Sequence, residues 1–410
     1  MPTDWSVSMP DSGKEGGSGS ILVINGGSST LKFTLFRVGD SPVRELSGLI
    51  DRLGSSHGTF TWMENATGRA DRRTIAAPAP AACLDALMGC ADGVLAREPL
   101  RAIGHRVVHG GKDYREPQRV TPMVMEELQR LSPYDPEHLP VEIELIKECA
   151  RRYPRLPQVA CFDTAFHSEM PQVARLLAIP RRYEKLGLQR YGFHGLSCSF
   201  LMKELARVGR QDEVNGRIIL AHLGNGASMT AVKDGKSVET TMGFTPTSGM
   251  PMSRRSGDLD PGLVSYLARA EGMSADRFHR MVNTESGLLG VSEISSDMRD
   301  LLKAEQSDPR AAEAIALFCY QAKKWIGALA ATLGGVDTLV FSAGIGENSP
   351  VVRARICEGL EFLGITIDML RNEKNEAVIS KEGGRATVRV IHTDEEREIA
   401  ASVMMWLSTG

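Results

Sequence analysis

A glycine-rich turn set between two strand-like runs occurs twice in this chain, and that repeat limits its possible folds more than any other feature. The first copy is Ile21-Leu22-Val23-Ile24-Asn25-Gly26-Gly27-Ser28-Ser29-Thr30-Leu31-Lys32-Phe33. The second is Ile218-Ile219-Leu220-Ala221-His222-Leu223-Gly224-Asn225-Gly226-Ala227-Ser228-Met229-Thr230. Each reads as strand, tight polar turn, strand. Glycines in such turns let backbone N–H groups approach an anion with no Cβ in the way, and neighbouring hydroxyls and amides add donors and oxygen ligands. Two such turns in separate halves of the chain predict two similar domains facing one nucleotide, each lending a turn to its phosphates.

The stretches around these turns alternate strand with helix, which predicts an α/β chain. Ile103 to Val108 reads as an apolar strand bringing Arg106 to its carboxyl end, and Val159-Ala160-Cys161-Phe162 as another that ends directly in Asp163. Between them, Val141 to Tyr153 has helical spacing (Ile143, Leu145, Ile146, Cys149), with Pro140 at its start, where proline is tolerated. Ala311 to Leu333 is a long helix with Ile315, Phe318, Ala322, Ile326 and Leu329 on one face and Gly334-Gly335 as its stop. It feeds a strand, Val336 to Phe341, that opens into a third glycine loop, Ser342-Ala343-Gly344-Ile345-Gly346-Glu347-Asn348-Ser349. Ligand loops of α/β folds gather at the carboxyl ends of strands, which places this loop at the nucleotide. A plain strand-to-helix connection, which also favours glycine, is the competing reading.

At 410 residues the chain is too long for one ordinary core and reads as two domains. Its first twenty residues, ending Gly16-Gly17-Ser18-Gly19-Ser20, are small and polar, so residues 1–20 are expected to form a flexible tail. A net charge of −3 gives no basic field for nucleic acid or a membrane surface. Seven scattered cysteines without C-x-x-C spacing fit reduced thiols rather than a disulfide or zinc framework. With neither a secretory signal nor an apolar run long enough to span a bilayer, the expectation is a soluble cytoplasmic protein.

Familiar motifs are set aside in turn. There is no G-x-x-x-x-G-K-[ST], and no G-x-G-x-x-G follows a strand. Ser29-Thr30-Leu31-Lys32 matches the S-x-x-K of penicillin-binding enzymes, but no K-T-G or S-D-N accompanies it and the serine sits on a hairpin turn. His105 and His109 lack a third ligand and read as hydrogen bonders at a strand end rather than a zinc pair.

Ten motifs then occur in order: Asn25 to Phe33; Gly104-His105-Arg106-Val107-Val108-His109-Gly110-Gly111; Phe162-Asp163-Thr164-Ala165-Phe166-His167; Arg190-Tyr191-Gly192-Phe193-His194-Gly195; His222 to Gly226; Met242-Gly243-Phe244-Thr245-Pro246; Arg255-Ser256-Gly257-Asp258; Ser296-Asp297-Met298-Arg299-Asp300; Ala343 to Asn348; and Thr393-Asp394-Glu395-Glu396. On these motifs the chain from Ile21 onward resembles the acetate and propionate kinase family, within the superfamily that also holds sugar kinases, Hsp70 and actin. The resemblance implies two duplicated ribonuclease-H-like domains with a cleft between them. The first spans 21–165 and is completed by 394–410; the second, nucleotide-binding, spans 166–393. It also implies a homodimer and the reversible phosphorylation of a short carboxylate, acetate foremost, by ATP with Mg2+, for which Mn2+ may substitute.

The resemblance also distributes roles. Asn25 and Glu395 match the magnesium site. Lys32, His222, Leu223, Gly224, Asn225 and Gly226 match the ATP phosphate side; Asp297, Met298 and Arg299 with Gly344, Ile345, Gly346, Glu347 and Asn348 match the nucleotide contacts. Arg106 would hold the carboxylate, and Arg255 with His194 would stabilise the moving phosphoryl group, a task suited to the guanidinium fork. Asp163 matches the family's proton donor or acceptor. A carboxylate substrate is already ionised at neutral pH, with a pKa of ~4, so Asp163 is expected to orient the metal or its waters. Blander readings stand beside these: a solvated strand lysine for Lys32, a helix cap for Asp163, a local ion pair for Asp297 and Arg299, and Arg254 as the confounder of Arg255.

The chain departs from the family pattern at Ser132-Pro133-Tyr134-Asp135-Pro136-Glu137-His138-Leu139-Pro140, where a leucine-histidine-asparagine-proline run is usual. Tyr134 would replace an aliphatic residue in an apolar acyl pocket with Val108, Phe193 and Pro246. One methylene in such a pocket is worth only about 1–3 kcal/mol, so acetate versus propionate can turn on one residue. The rival readings are a longer-acyl kinase and, from another class, a nucleotide-switch protein of the Hsp70 or actin type.

Overall fold

The computed structural model describes residues 19–27, 30–51, 57–76 and 80–409. The expected tail therefore lies outside the described residues up to residue 18, as do Ser28 and Ser29 of the first turn. Ser20 corrects the tail's boundary. It already belongs to a strand, its side chain is buried, and its N–H donates to the Pro99 carbonyl at 2.9 Å.

The first sheet contains β1 (Ser20–Gly26), β2 (Thr30–Arg37), β3 (Val43–Asp51), β4 (His57–Glu64), β5 (Ala70–Ala76), β6 (Leu100–Val107), β7 (Gln118–Arg119) and β8 (Gln158–Phe162). Their order across it is β5-β4-β3-β2-β1-β6-β8-β7. The second contains β9 (Arg217–Leu223), β10 (Ala227–Lys233), β11 (Lys236–Thr240), β12 (Thr338–Ser342) and β13 (Thr387–Val390), in the order β11-β10-β9-β12-β13. Strands β3-β2-β1-β6-β8 and β11-β10-β9-β12-β13 trace the same path. Each is an antiparallel meander whose first strand then pairs in parallel with a crossover strand, itself parallel to the next. The two glycine turns occupy equivalent places in the two paths, closing β1 on β2 (Gly26 opposite Leu31) and β9 on β10 (Leu223 opposite Ala227).

Alternation along the strands feeds both faces of the first sheet. Leu22, Ile24, Phe33 and Ile103 pack with helices Pro80–Leu95 and Leu139–Arg152, while Ile21, Val23, Ala102 and Cys161 pack with Ile399, Ala400 and Val403 of the C-terminal helix Glu395–Thr409. That helix lies so close to β6 that a Cβ on Gly104 would come within 2.6 Å of Ile399. Beside the second sheet, helix Pro309–Leu333 buries Ile315, Phe318, Ala322, Ile326 and Leu329, the face expected from its periodicity, and stops at Gly334 in the left-handed region. All seven cysteines are free thiols. Among the described residues no helix is long and apolar enough to cross a membrane.

One expected loop is a helix. Residues Ala343–Asn348 form a short α-helix directly after β12. The Glu347 carboxylate reaches back and accepts the Ala343 N–H at 2.7 Å, satisfying a donor that the helix start would otherwise leave open.

Candidate active site

The carboxyl ends of β1, β6 and β8 meet at one edge of the first sheet, and Arg106 is the hub there. Its Nε and Nη2 donate to Asp163 Oδ2 at 3.0 and 2.6 Å, and its Nη1 to the Gly26 carbonyl at 3.2 Å and Glu142 Oε1 at 3.3 Å. Glu142 also accepts the Val108 N–H at 2.9 Å. Burial pushes both acids up, Glu142 to about 8 and Asp163 to about 6, despite Arg106. Burial likewise opposes the charge on Arg106, and Asp163, Glu142 and Glu395 more than restore it. Asp163 does not act as a helix cap: its carboxylate faces the arginine, and Oδ1 is buried without a partner.

Asn25, next to last in β1, lies beside the start of the C-terminal helix, donating to Glu396 at 3.1 Å and Glu395 at 3.4 Å. The two residues matched to the metal site thus lie together, with the Glu395 charge felt at Asp163. Among the described residues no group of three or more His, Cys, Asp or Glu is arranged to hold an ion. An amide oxygen, a carboxylate and the orphaned Asp163 Oδ1 are nevertheless the hard oxygen donors that suit Mg2+ held largely through water.

Across the cleft, His222 near the end of β9 stacks on His194, ring centroids 4.1 Å apart. His194 has a left-handed backbone (φ 59°), and its Nδ1 pairs with Ser228 at 2.9 Å; His222 Nδ1 pairs with Ser197 at 2.8 Å. Burial holds both rings below the usual histidine range, for His194 with the neighbouring His222 and arginine charges adding to it. Arg255 is half-buried and Arg254 exposed, so the confounding pair is separated by placement. Arg255 Nη1 donates to the Pro246 carbonyl at 3.3 Å, and among the described residues no carboxylate pairs with it. A Cβ on Gly226 would lie 3.1 Å from His194 Nε2 and 3.6 Å from Arg255 Nη1, so turn, histidine and arginine converge. Within that turn Gly224 N–H donates to the Gly226 carbonyl at 3.0 Å, and Ser253 binds the Asn225 carbonyl at 3.1 Å, next to buried Leu223.

The remaining candidates divide. Lys32 is exposed and shares a groove with Arg44 and Glu396, its charge felt at His222. In helix Ala343–Asn348, Gly344 is exposed with nothing within 4 Å of where a Cβ would be, Ile345 is half-buried, Gly346 is buried and Asn348 folds back on the Gly344 carbonyl. Asp297 caps helix Met298–Ala304 and pairs with exposed Arg299 at 2.6 Å over buried Met298. That is the local ion pair of the blander reading, and none of its hydrogen bonds reaches the arginines. Of the residues matched to the acyl pocket, Val108 and Phe193 are buried in one cluster and Pro246 is also buried. The Tyr134 ring packs on Phe244, and its hydroxyl is spent on the Leu186 carbonyl at 2.6 Å.

The profile of the Acetokinase family matches residues 20–401. The chain belongs to this family. It is 43% identical over 395 residues to the acetate kinase of Nitrobacter hamburgensis, covering 95% of this chain and 96% of that one. It is 41% identical over 399 residues to the propionate kinase of Citrobacter rodentium, covering 94% and 96%. The crystal structure of Porphyromonas gingivalis acetate kinase superposes with a TM-score of 0.85 at 35% identity, covering 95% of this chain and all of that one. The twice-traced strand path is thus the duplicated ribonuclease-H-like architecture of the acetokinases.

Two residues that support this acetokinase site are missing from the sequence reading. Glu142 had a signal, since an acid at position i with Ile146 and Cys149 at i+4 and i+7 lies on the helix's apolar face. Arg353 had none. It is wholly buried, donating to the Gly346 and Glu347 carbonyls at 2.8 and 3.0 Å and to Asn372 and Asn375, and so ties down the helix after β12.

Proposed function

We propose that this chain is an acetate kinase, forming acetyl phosphate and ADP from acetate and ATP and running in either direction. The family match across residues 20–401 carries this reading. The substrate carboxylate needs no base, because it is ionised at neutral pH. Its oxygen attacks the γ-phosphorus as the bond to the ADP oxygen breaks, in line. Arg106 holds the carboxylate by exchanging part of its hold on Glu142. Arg255, free of any acid partner among the described residues, and His194 stand where charge spreads over the equatorial phosphoryl oxygens. Lys32, His222 to Gly226, Asp297 to Arg299 and Gly344 to Asn348 serve the nucleotide; Val108, Tyr134, Phe193 and Pro246 border the acyl group. Asn25, Glu395 and Asp163 would hold Mg2+, or Mn2+ in its place, which when bound neutralises phosphate charge.

The domain division at 165/166, with 394–410 returning to the first half, is part of this proposal and is supported by the packing of helix Glu395–Thr409 on β1 and β6. So is a homodimer: helix Gly262–Glu271 buries none of its residues, leaving Leu263, Val264 and Tyr266 exposed. A cytoplasmic location agrees with seven free thiols. Hydroxylamine trapping of acyl phosphate over formate, acetate, propionate and butyrate tests the activity. Turnover should be greatest with acetate, and Arg106→Ala should lower kcat/KM about a hundredfold or more. ATP hydrolysis indifferent to every carboxylate would instead favour the nucleotide switch, and a peak at propionate the longer-acyl kinase.

A further inference from the structure

Among the described residues, two buried polar atoms on the side proposed for the acyl group have no partner: His109 Nε2 and Asp135 Oδ2. His109 is fully buried and Asp135 is 4% exposed. Their chemistry is complementary. His109 Nδ1 accepts the Gly111 N–H at 2.9 Å, so the ring's proton sits on Nε2, a donor. Asp135 Oδ1 is taken twice by His138, from its backbone N–H at 3.0 Å and its Nδ1 at 2.8 Å, which leaves Oδ2 as a free acceptor.

Both belong to the wall expected to border the acyl group. The His109 ring follows Val108 and meets Tyr134, Tyr191 and Phe193 edge-on at 5.5, 4.3 and 5.8 Å, while Asp135 follows Tyr134. His109 thus touches the ring of Tyr134 and Asp135 is that residue's chain neighbour, which sets the two groups on either side of Tyr134; the Asp135 charge is also felt at His109 and Arg255. His138 and Arg255 offset that charge beside an anionic substrate. A donor and an acceptor left open together match a group that both accepts and donates, and a hydroxyl is the small one an acyl chain can carry.

We infer that the cleft takes short hydroxy acids as well as acetate, the substrate hydroxyl accepting from His109 Nε2–H and donating to Asp135 Oδ2. The inference rests on the acyl kinase reading. The transfer itself is unchanged: the hydroxy acid's carboxylate oxygen forms the bond to the γ-phosphorus, the bond to the ADP oxygen breaks with its electron pair, and the hydroxyl keeps its proton. A pocket built to bond a hydroxyl rejects the analogue lacking it far more strongly than an apolar pocket rejects a methylene, whose limit is about 10–200-fold.

The test compares isosteres, glycolate against propionate and 3-hydroxypropionate against butyrate, by trapped acyl phosphate. For the wild-type enzyme kcat/KM should favour one hydroxy acid over its methyl counterpart by at least roughly tenfold. Asp135→Asn and His109→Gln should each bring that ratio down several-fold, read as a ratio so that any general loss of fold cancels. Wild-type preference for the methyl counterparts in both pairs, with acetate still used, would overturn the inference alone and mark the two atoms as a water site. Failure with acetate and every other acid would overturn the kinase reading instead.

Discussion

Glu142 makes the stability of this protein depend on pH in a direction opposite to that of an ordinary ion-paired acid. Its carboxyl is 2% exposed and is raised from an ordinary value of 4.5 to about 8; burial is the largest cause, and the Asp135 and Asp163 charges add to it. Between those two pH values the folded protein keeps a proton that the unfolded chain has released, so stability falls as pH rises, at about 1.4 kcal/mol per pH unit. Stability from this group is complete below the unfolded value and lost on the way up through the folded one. Over the whole interval the slope accumulates to on the order of 5 kcal/mol, a large share of a domain's stability.

Glu142→Gln has the shape of the protonated acid and cannot titrate. Guanidinium melts of both proteins at pH 6, 7 and 8 should show the variant already the more stable by about 2 kcal/mol at pH 6, since the unfolded chain ionises from its ordinary value of 4.5 upward. That gap should then widen by about 1 kcal/mol per pH unit. Asp163, also pushed up by burial, titrates in both proteins and largely cancels in the difference. Since ionised Glu142 competes for Arg106, the variant should also have the lower KM for acetate at pH 8. Parallel stability curves from pH 6 to 8 would refute the argument, because they would mean that Glu142 stays ionised against Arg106 throughout.

Two further substitutions probe the supports of the site. Gly104→Ala would set a methyl 2.6 Å from Ile399 and 2.8 Å from Val403 of the C-terminal helix; a loss of about 1–3 kcal/mol is expected in denaturant melts, partly restored by adding Ile399→Ala. Arg353→Met would strand the Gly346 and Glu347 carbonyls and the Asn372 and Asn375 side chains. It should cost about 2–4 kcal/mol and, if the tethered helix serves the nucleotide as proposed, raise KM for ATP more than KM for acetate.

What the sequence discloses here is mostly what local chemistry dictates. Both hairpins, the strand ending in Asp163 and helix Pro309–Leu333 follow from periodicity and glycine placement, which act over a few residues. The segment after β12 reads as a loop because Gly344 and Gly346 argue against helix locally, whereas in the fold Glu347 satisfies the open Ala343 N–H from within the turn. Arg353 reads as a surface residue until its five contacts enclose it, whereas for Glu142 the apolar-face position is legible and only its partners, Arg106 and the Val108 N–H, are not. Those partners lie 6 to 36 positions away on other elements, and no spacing rule encodes them.

The two arginines differ most in that long-range respect, and the difference has a chemical use. Arg106 enters the cleft already matched by Asp163 and Glu142, so with one of those acids protonated the group is neutral overall, and an incoming carboxylate exchanges for one acid rather than meeting bare charge. Arg255 has a carbonyl and, among the described residues, no paired acid, and burial presses against its charge, so its guanidinium is a positive group left unspent. A charge left without an acid partner and partly withdrawn from water costs folding free energy that a strongly anionic visitor returns. The phosphoryl group in transit is such a visitor, and acetate alone is not. Arg255→Ala should therefore lower kcat by about a hundredfold or more with little change in KM for acetate, while leaving the folded protein as stable or more so. A large rise in acetate KM at unchanged kcat would show that Arg255 holds the ground-state carboxylate, and would reverse the roles assigned to the two arginines.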